Sequence, residues 1–126
     1  MKGRKPGTLP ADPLALATVP KAPRHLGPLA RLEWRTIMPG LVEAGVVRAS
    51  DLALISAYCA HVAVIHEGAE AQGKGTLDAA GFRRMHQATE AARRLAGEFG
   101  LSPVSRLKTG MTGGAEEDAG DDPLAV

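Results

Sequence analysis

The sequence predicts an all-α fold: a kinked first helix, then an antiparallel helical hairpin, with a flexible arm at each end. Three observations lead there. Apolar residues recur at spacings of three and four through three segments between residues 28 and 99. Glycines at 45, 73, 75 and 100 punctuate those segments. No stretch alternates with the period of two that a half-buried strand needs, and no internal repeat is present.

The first helix begins near Pro28, whose fixed φ and missing N–H suit a first turn. Ala30, Trp34, Ile37, Met38 and Leu41 follow on one face, and Gly45 closes it. Pro39 falls inside and is expected to kink the helix or split it. Val46-Val47 makes a short apolar link. Ser50 is the expected N-cap of the second helix, with Asp51 favourable in its first turn. Leu52, Ile55, Cys59, Val62, His66 and Ala69 carry that helix to about Gln72, with Tyr58 and Ile65 widening its face. Gly73-Lys74-Gly75 breaks it. Thr76 or Asp78 caps the third helix, where Phe82, Met85, Thr89, Ala92, Ala96 and Phe99 form a seam against the second. Gly100 is the left-handed stop. Leu101, Pro103 and Val104 then pack a short segment back on the hairpin.

Residues 1–27 read as a disordered, basic arm. Pro6, Pro10, Pro13, Pro20 and Pro23 break any helical period and leave room only for a brief turn near Leu14 to Ala17. Residues 28–107 form the helical oligomerisation domain. Residues 108–126 turn glycine-rich and then acidic, and read as a disordered tail. The folding core is thus roughly 75 residues, near the size at which a lone core is marginal. The apolar faces of the last two helices, with Trp34, exceed what one packed pair buries. Trp34, Ile55, Tyr58, Cys59, Val62, Phe82, Met85 and Phe99 are the candidate core and interface residues of a homo-oligomer; a compact three-helix monomer is the alternative. No run reaches the ~18 apolar residues that a membrane span needs. The basic start leads into Pro and Gly and not into a signal sequence. A lone Cys59 forms no internal disulfide and fits a cytosolic chain.

The net charge of +1 hides an asymmetry. Lys2, Arg4, Lys5, Lys21 and Arg24 face Asp12 alone in the first 25 residues. Glu116, Glu117, Asp118, Asp121 and Asp122 have no basic neighbour in the last dozen. A polyanion at one end and a different partner, or a solubilising role, at the other would suit this.

The chemistry of catalysis is poorly provided for. His61 and His66 are five apart and point from different helix faces, unlike the i, i+4 pair of a zinc helix. One cysteine builds no zinc knuckle, and no phosphate-binding Gly-x-x-x-x-Gly-Lys-Ser/Thr loop is present. Neither catalytic residues nor a metal or cofactor is expected.

Nucleic-acid binding has better support. Gly3-Arg4-Lys5-Pro6-Gly7 is similar to the Gly-Arg-Pro core of minor-groove hooks, whose cations meet the enhanced potential of a narrow groove. A solvated basic tail is the plainer reading, and it too adds salt-sensitive affinity. On the third helix Arg83 and Arg94 share a face, with Arg106 and Lys108 beyond. Arg84 and Arg93 point elsewhere. These cations face phosphate or simply water. No aromatic residue interleaves with the arginines, so base stacking is not expected.

Several pieces stand in a telling order: the Lys2-Gly3-Arg4-Lys5-Pro6 start, Glu33-Trp34 before Pro39, the Gly45-to-Asp51 link, Tyr58-Cys59, and Leu95-Ala96-Gly97-Glu98-Phe99-Gly100-Leu101-Ser102-Pro103-Val104-Ser105-Arg106. In that order they resemble the small subunits of phage DNA-packaging terminases, over residues 1–6 and roughly 26–107. The resemblance implies an all-α, non-enzymatic subunit that assembles into a ring in the cytoplasm of the bacterial host, away from any membrane. It also implies two partners: double-stranded DNA, and a large terminase subunit holding the ATPase and nuclease. The acidic tail ends in Leu124, Ala125 and Val126, an arrangement that fits a linear motif for that large subunit or a solvated terminus. Only Gly73 to Ala80 bridges the last two helices, shorter than is usual in the family, and the arm lacks a helix-turn-helix. Both features suit packaging with little sequence preference, as in gene transfer agents. A small dimeric DNA-binding regulator or nucleoid-type protein is the alternative function.

Overall fold

The computed structural model of the protein describes residues 12–101. Three helices follow one another: α1 over Pro28–Glu43, α2 over Leu52–Gly73 and α3 over Ala79–Phe99, with a short 3-10 turn at Ala49–Asp51 before α2. Among the described residues there is no strand beyond a single antiparallel bridge between Ala15 and Arg48. The compact unit is Asp12–Leu95; the end of α3, from Ala96, belongs to a second unit.

The helix ends follow from local chemistry. Pro28 opens α1, and the first backbone bond runs from the Arg31 N–H to the Gly27 oxygen at 2.9 Å. The helix continues through Pro39 in one piece, so the expected split does not occur. Proline removes one i→i−4 donor there, and its exposed position spares it a clash with the core. Gly45, Gly75 and Gly100 follow the three helices with φ of 72°, 74° and 74°, a region that costs other residues dearly. Ser50 is not the cap of α2. Asp51 holds that position without a side-chain bond into α2; its Oδ2 accepts the Arg48 N–H at 2.9 Å and its own N–H donates to the Arg48 oxygen at 2.9 Å, closing the 3-10 turn. At α3 the cap is Asp78, whose Oδ1 accepts the Gly81 N–H at 2.7 Å.

The core lies where α1 packs on α2. Trp34, Met38, Leu41, Ile55 and Cys59 are fully buried there, joined by Leu26, Ala30 and Val47. Each large apolar side chain taken from water stabilises the fold by about 1.5–3 kcal/mol.

Two expectations need correction. Residues 12–27 are not a loose arm but a strap. Asp12 pairs with Arg48 through Nε–Oδ2 at 2.8 Å and Nη2–Oδ1 at 3.2 Å. Leu16 N–H donates to the Val47 oxygen at 2.8 Å, the Trp34 indole N–H donates to the Pro20 oxygen at 3.0 Å, and Leu26 is buried. Arg31 ties the last turn down, donating to the Leu26 and Arg24 oxygens at 2.8 and 3.1 Å. The prolines exclude helix but not docking. The remainder of the arm, residues 1–11, and the acidic tail lie outside the described residues.

The second correction concerns the seam of α3. Ala88 and Ala92 are buried, while Phe82 is 52% exposed and Thr89 is exposed. The inward face is thus rotated from the one drawn through the bulkiest residues. Its fixed point is Met85. A Cβ added at Gly68 of α2 would lie 2.7 Å from the Met85 Sδ and 2.9 Å from its Cβ. The bare glycine lets Met85 seat on α2, and Phe82 is carried outward.

Candidate nucleic-acid and assembly surfaces

Helix α3 carries the basic surface. At 100° per residue, Arg83 and Arg94 fall opposite the buried Ala88 and Ala92, and both are exposed. Arg93 is occupied by Glu90, Nη2 to Oε1 at 2.6 Å. That pair holds the Glu90 carboxyl below the usual carboxylate range. Among the described residues Arg83 and Arg84 have no ion-pair or hydrogen-bonded partner. Lys21 and Arg24 are exposed on the strap. Lys2, Arg4 and Lys5, with Arg106 and Lys108, lie outside the described residues, as do Leu124, Ala125 and Val126.

Phe82 sits among these cations, its ring stacked on His86 with centroids 6.3 Å apart and planes 12° from parallel. Sequence spacing missed this step because it assigned Phe82 to the seam. The signal that would have revealed it is Gly68, whose missing side chain admits Met85 in place of Phe82.

The second surface is apolar. The stretch Ala49–Gly73 is long and apolar enough to cross a membrane by length and composition, yet only 17% of its most apolar window is buried within the chain. One face, Ile55, Ser56 and Cys59, is taken up against α1. Val62 and Ile65 remain half-buried and Leu54 is 51% exposed. Leu32 of α1 is exposed to a similar degree, at 53%. Of the other candidate interface residues, Tyr58, Met85 and Phe99 are half-buried.

Glu33-Trp34 and Tyr58-Cys59, far apart in sequence, meet between α1 and α2. Trp34 and Cys59 are both buried in the core, and Tyr58 lies beside Glu33. Burial first, and the Glu33 carboxylate second, push the Tyr58 hydroxyl up to about 12. The same two causes push the Cys59 thiol up to about 12. A thiol so held is a packing residue and a poor nucleophile. Among the described residues no group of three or more His, Cys, Asp or Glu is placed to hold a metal ion.

The described residues define a class, that of small all-α proteins, with a basic helix and exposed apolar residues on its neighbour. A family model described as phage terminase, small subunit, matches residues 30–116, more than half of the 126-residue chain. The chain belongs to that family, which places it in phage DNA packaging. The match takes in the Glu-Trp and Tyr-Cys positions and the Leu95-to-Arg106 motif, and leaves out the basic start. Comparisons with curated proteins and with solved structures return no match.

Proposed function

We propose that this chain is a packaging adaptor: a homo-oligomeric ring that engages double-stranded DNA with little sequence preference and recruits or regulates the large terminase ATPase and nuclease in the host cytoplasm. It performs no catalysis of its own. The observation that carries this reading is the division of labour between two helices. Helix α2 offers apolar surface that one chain leaves uncovered, and α3 turns Arg83 and Arg94 outward. Apolar surface suits neighbours in a ring, whereas cations suit phosphate. Lys2, Arg4, Lys5, Lys21, Arg24, Arg106 and Lys108 add to the basic set. No base-reading element stands out, which suits a particle that loads DNA of many sequences, as gene transfer agents do. Leu124, Ala125 and Val126, behind five carboxylates, are the proposed contact with the large subunit.

Native mass spectrometry and duplex titrations test this together. A closed assembly of more than six chains is expected; a dimer would instead favour a regulator of the nucleoid type. Affinity for unrelated duplexes should be similar and should fall steeply with salt, and deleting residues 1–7 should lower the slope. Deleting residues 115–126 should spare the assembly and abolish large-subunit binding.

A further inference from the structure

We propose that Phe82 and His86, together with Arg83, form a base-stacking site for single-stranded DNA at the start of α3. The site deepens the reading above and rests on the chain engaging DNA. Four observations converge on it. Phe82 is half exposed although Trp34 is buried and Tyr58 and Phe99 are half-buried, and it is held out because Met85 occupies the inward position against Gly68. Its ring is steadied by stacking on His86, with planes 12° from parallel and centroids 6.3 Å apart. The cation beside that pair, Arg83, is exposed and has no carboxylate partner among the described residues, in contrast to Arg93 further along. Finally, Phe82 and Arg83 border a hollow of about 440 Å³ that Gln72, Leu77 and Asp78 complete, within the size range of small-ligand clefts.

The parts divide by chemistry. A base has a π face, and an exposed aromatic ring takes it regardless of sequence. The Gln72 amide offers a donor and an acceptor to the base edge. Asp78 keeps one oxygen on the Gly81 N–H and lends its charge to the hollow, so phosphates are turned out of it toward Arg83. A duplex hides its base faces within the stack. The ligand is therefore a single strand, or a duplex end that has frayed.

The test compares, for the full chain, fluorescence anisotropy titrations of a short oligothymidylate, an abasic oligonucleotide with the same number of phosphates, and a duplex, all at one salt concentration. Thymidylate should bind at least ~5-fold more tightly than the abasic strand, the gain expected from one stacked base. Phe82→Ala and Phe82→Leu should both erase that ratio while leaving abasic and duplex affinities in place. Arg83→Ala should weaken all three ligands. Equal affinity for thymidylate and abasic strands, with the duplex still bound, overturns this site and leaves the packaging role standing. A Phe82→Ala chain whose assembly mass falls by light scattering while its thymidylate ratio persists also overturns it, and assigns Phe82 to contacts between copies. Failure of every DNA ligand to bind overturns both readings.

Discussion

The indole Nε1–H of Trp34 donates to the backbone oxygen of Pro20 at 3.0 Å. One side chain thereby fills the α1–α2 core and fastens the strap that crosses it. Proline suits the partner position, since it has no N–H of its own to satisfy and its carbonyl is free to accept.

That double role predicts a graded response. Trp34→Phe keeps most of the apolar bulk but orphans the Pro20 oxygen, and should lower stability by about 1 kcal/mol. Trp34→Ala should cost about 3–5 kcal/mol. Urea unfolding followed by circular dichroism measures both. Proteolysis of the strap should accelerate in Trp34→Phe; an unchanged cleavage rate would show that the indole bond does not hold it.

The Asp12–Arg48 pair makes the strap sensitive to acid. The Arg48 hydrogen bonds, aided by the Leu14 N–H at 2.9 Å, hold the Asp12 carboxyl below its ordinary value of 3.8. A depressed carboxylate stabilises the fold above the unfolded value and loses that contribution as pH falls through the folded one. Wild type should therefore exceed Asp12→Asn in stability at neutral pH, and the two should converge in acid below 3.8. The pair is partly exposed, so added salt should narrow the gap as well. A difference that persists unchanged at pH 2–3 would show the asparagine acts by another route.

Tyr58 and Cys59 work in the opposite direction. Both are raised to about 12 from ordinary values of 10.0 and 9.0. Their neutral forms support the fold below those ordinary values, and the support is lost as pH climbs through about 12. For Cys59 the shift lowers the thiolate fraction at pH 8 by about a thousandfold. Labelling by an aromatic disulfide should accordingly be slow in the native chain and fast in urea. Rapid stoichiometric labelling at pH 8 without denaturant would contradict the burial.

Two glycines in helices should respond with opposite signs. At Gly40 an added Cβ meets nothing within 4 Å, so Gly40→Ala should stabilise by roughly 0.5–1 kcal/mol through helix propensity. At Gly68 the added carbon meets the Met85 Cβ, which cannot swing away as a terminal atom can. Gly68→Ala should destabilise by about 1–3 kcal/mol despite the same propensity gain. Adding Met85→Ala should cost less in that background than in wild type. Thermal melts of wild type, the three single variants and the double variant decide it.

Helix positions were legible because their punctuation is chemical: Pro28, Asp78 and the glycines at 45, 75 and 100 each do locally what the sequence indicates. Trp34, Ile55 and Cys59 were legible as apolar face residues at helical spacing, but the sequence paired α2 with α3, and that α1 packs on α2 was not read. Two further things were not legible. The strap is held by a carbonyl, an indole N–H and an ion pair spanning 36 positions, none of which leaves a period to read. The facing of α3 depended on an alanine stripe, Ala88 and Ala92, that a hydrophobicity pattern weighs less than Phe82. The candidate site followed the same division: that α3 is basic was plain in the sequence, but that an aromatic ring joins its arginines at the surface was not.

Anchoring Asp12 at the corner before α2 also fixes where the strap begins. That ion pair is partly exposed, whereas the indole bond at Pro20 is part-buried, so acid and salt reach the Asp12 end first and the strap should peel from there toward Pro20.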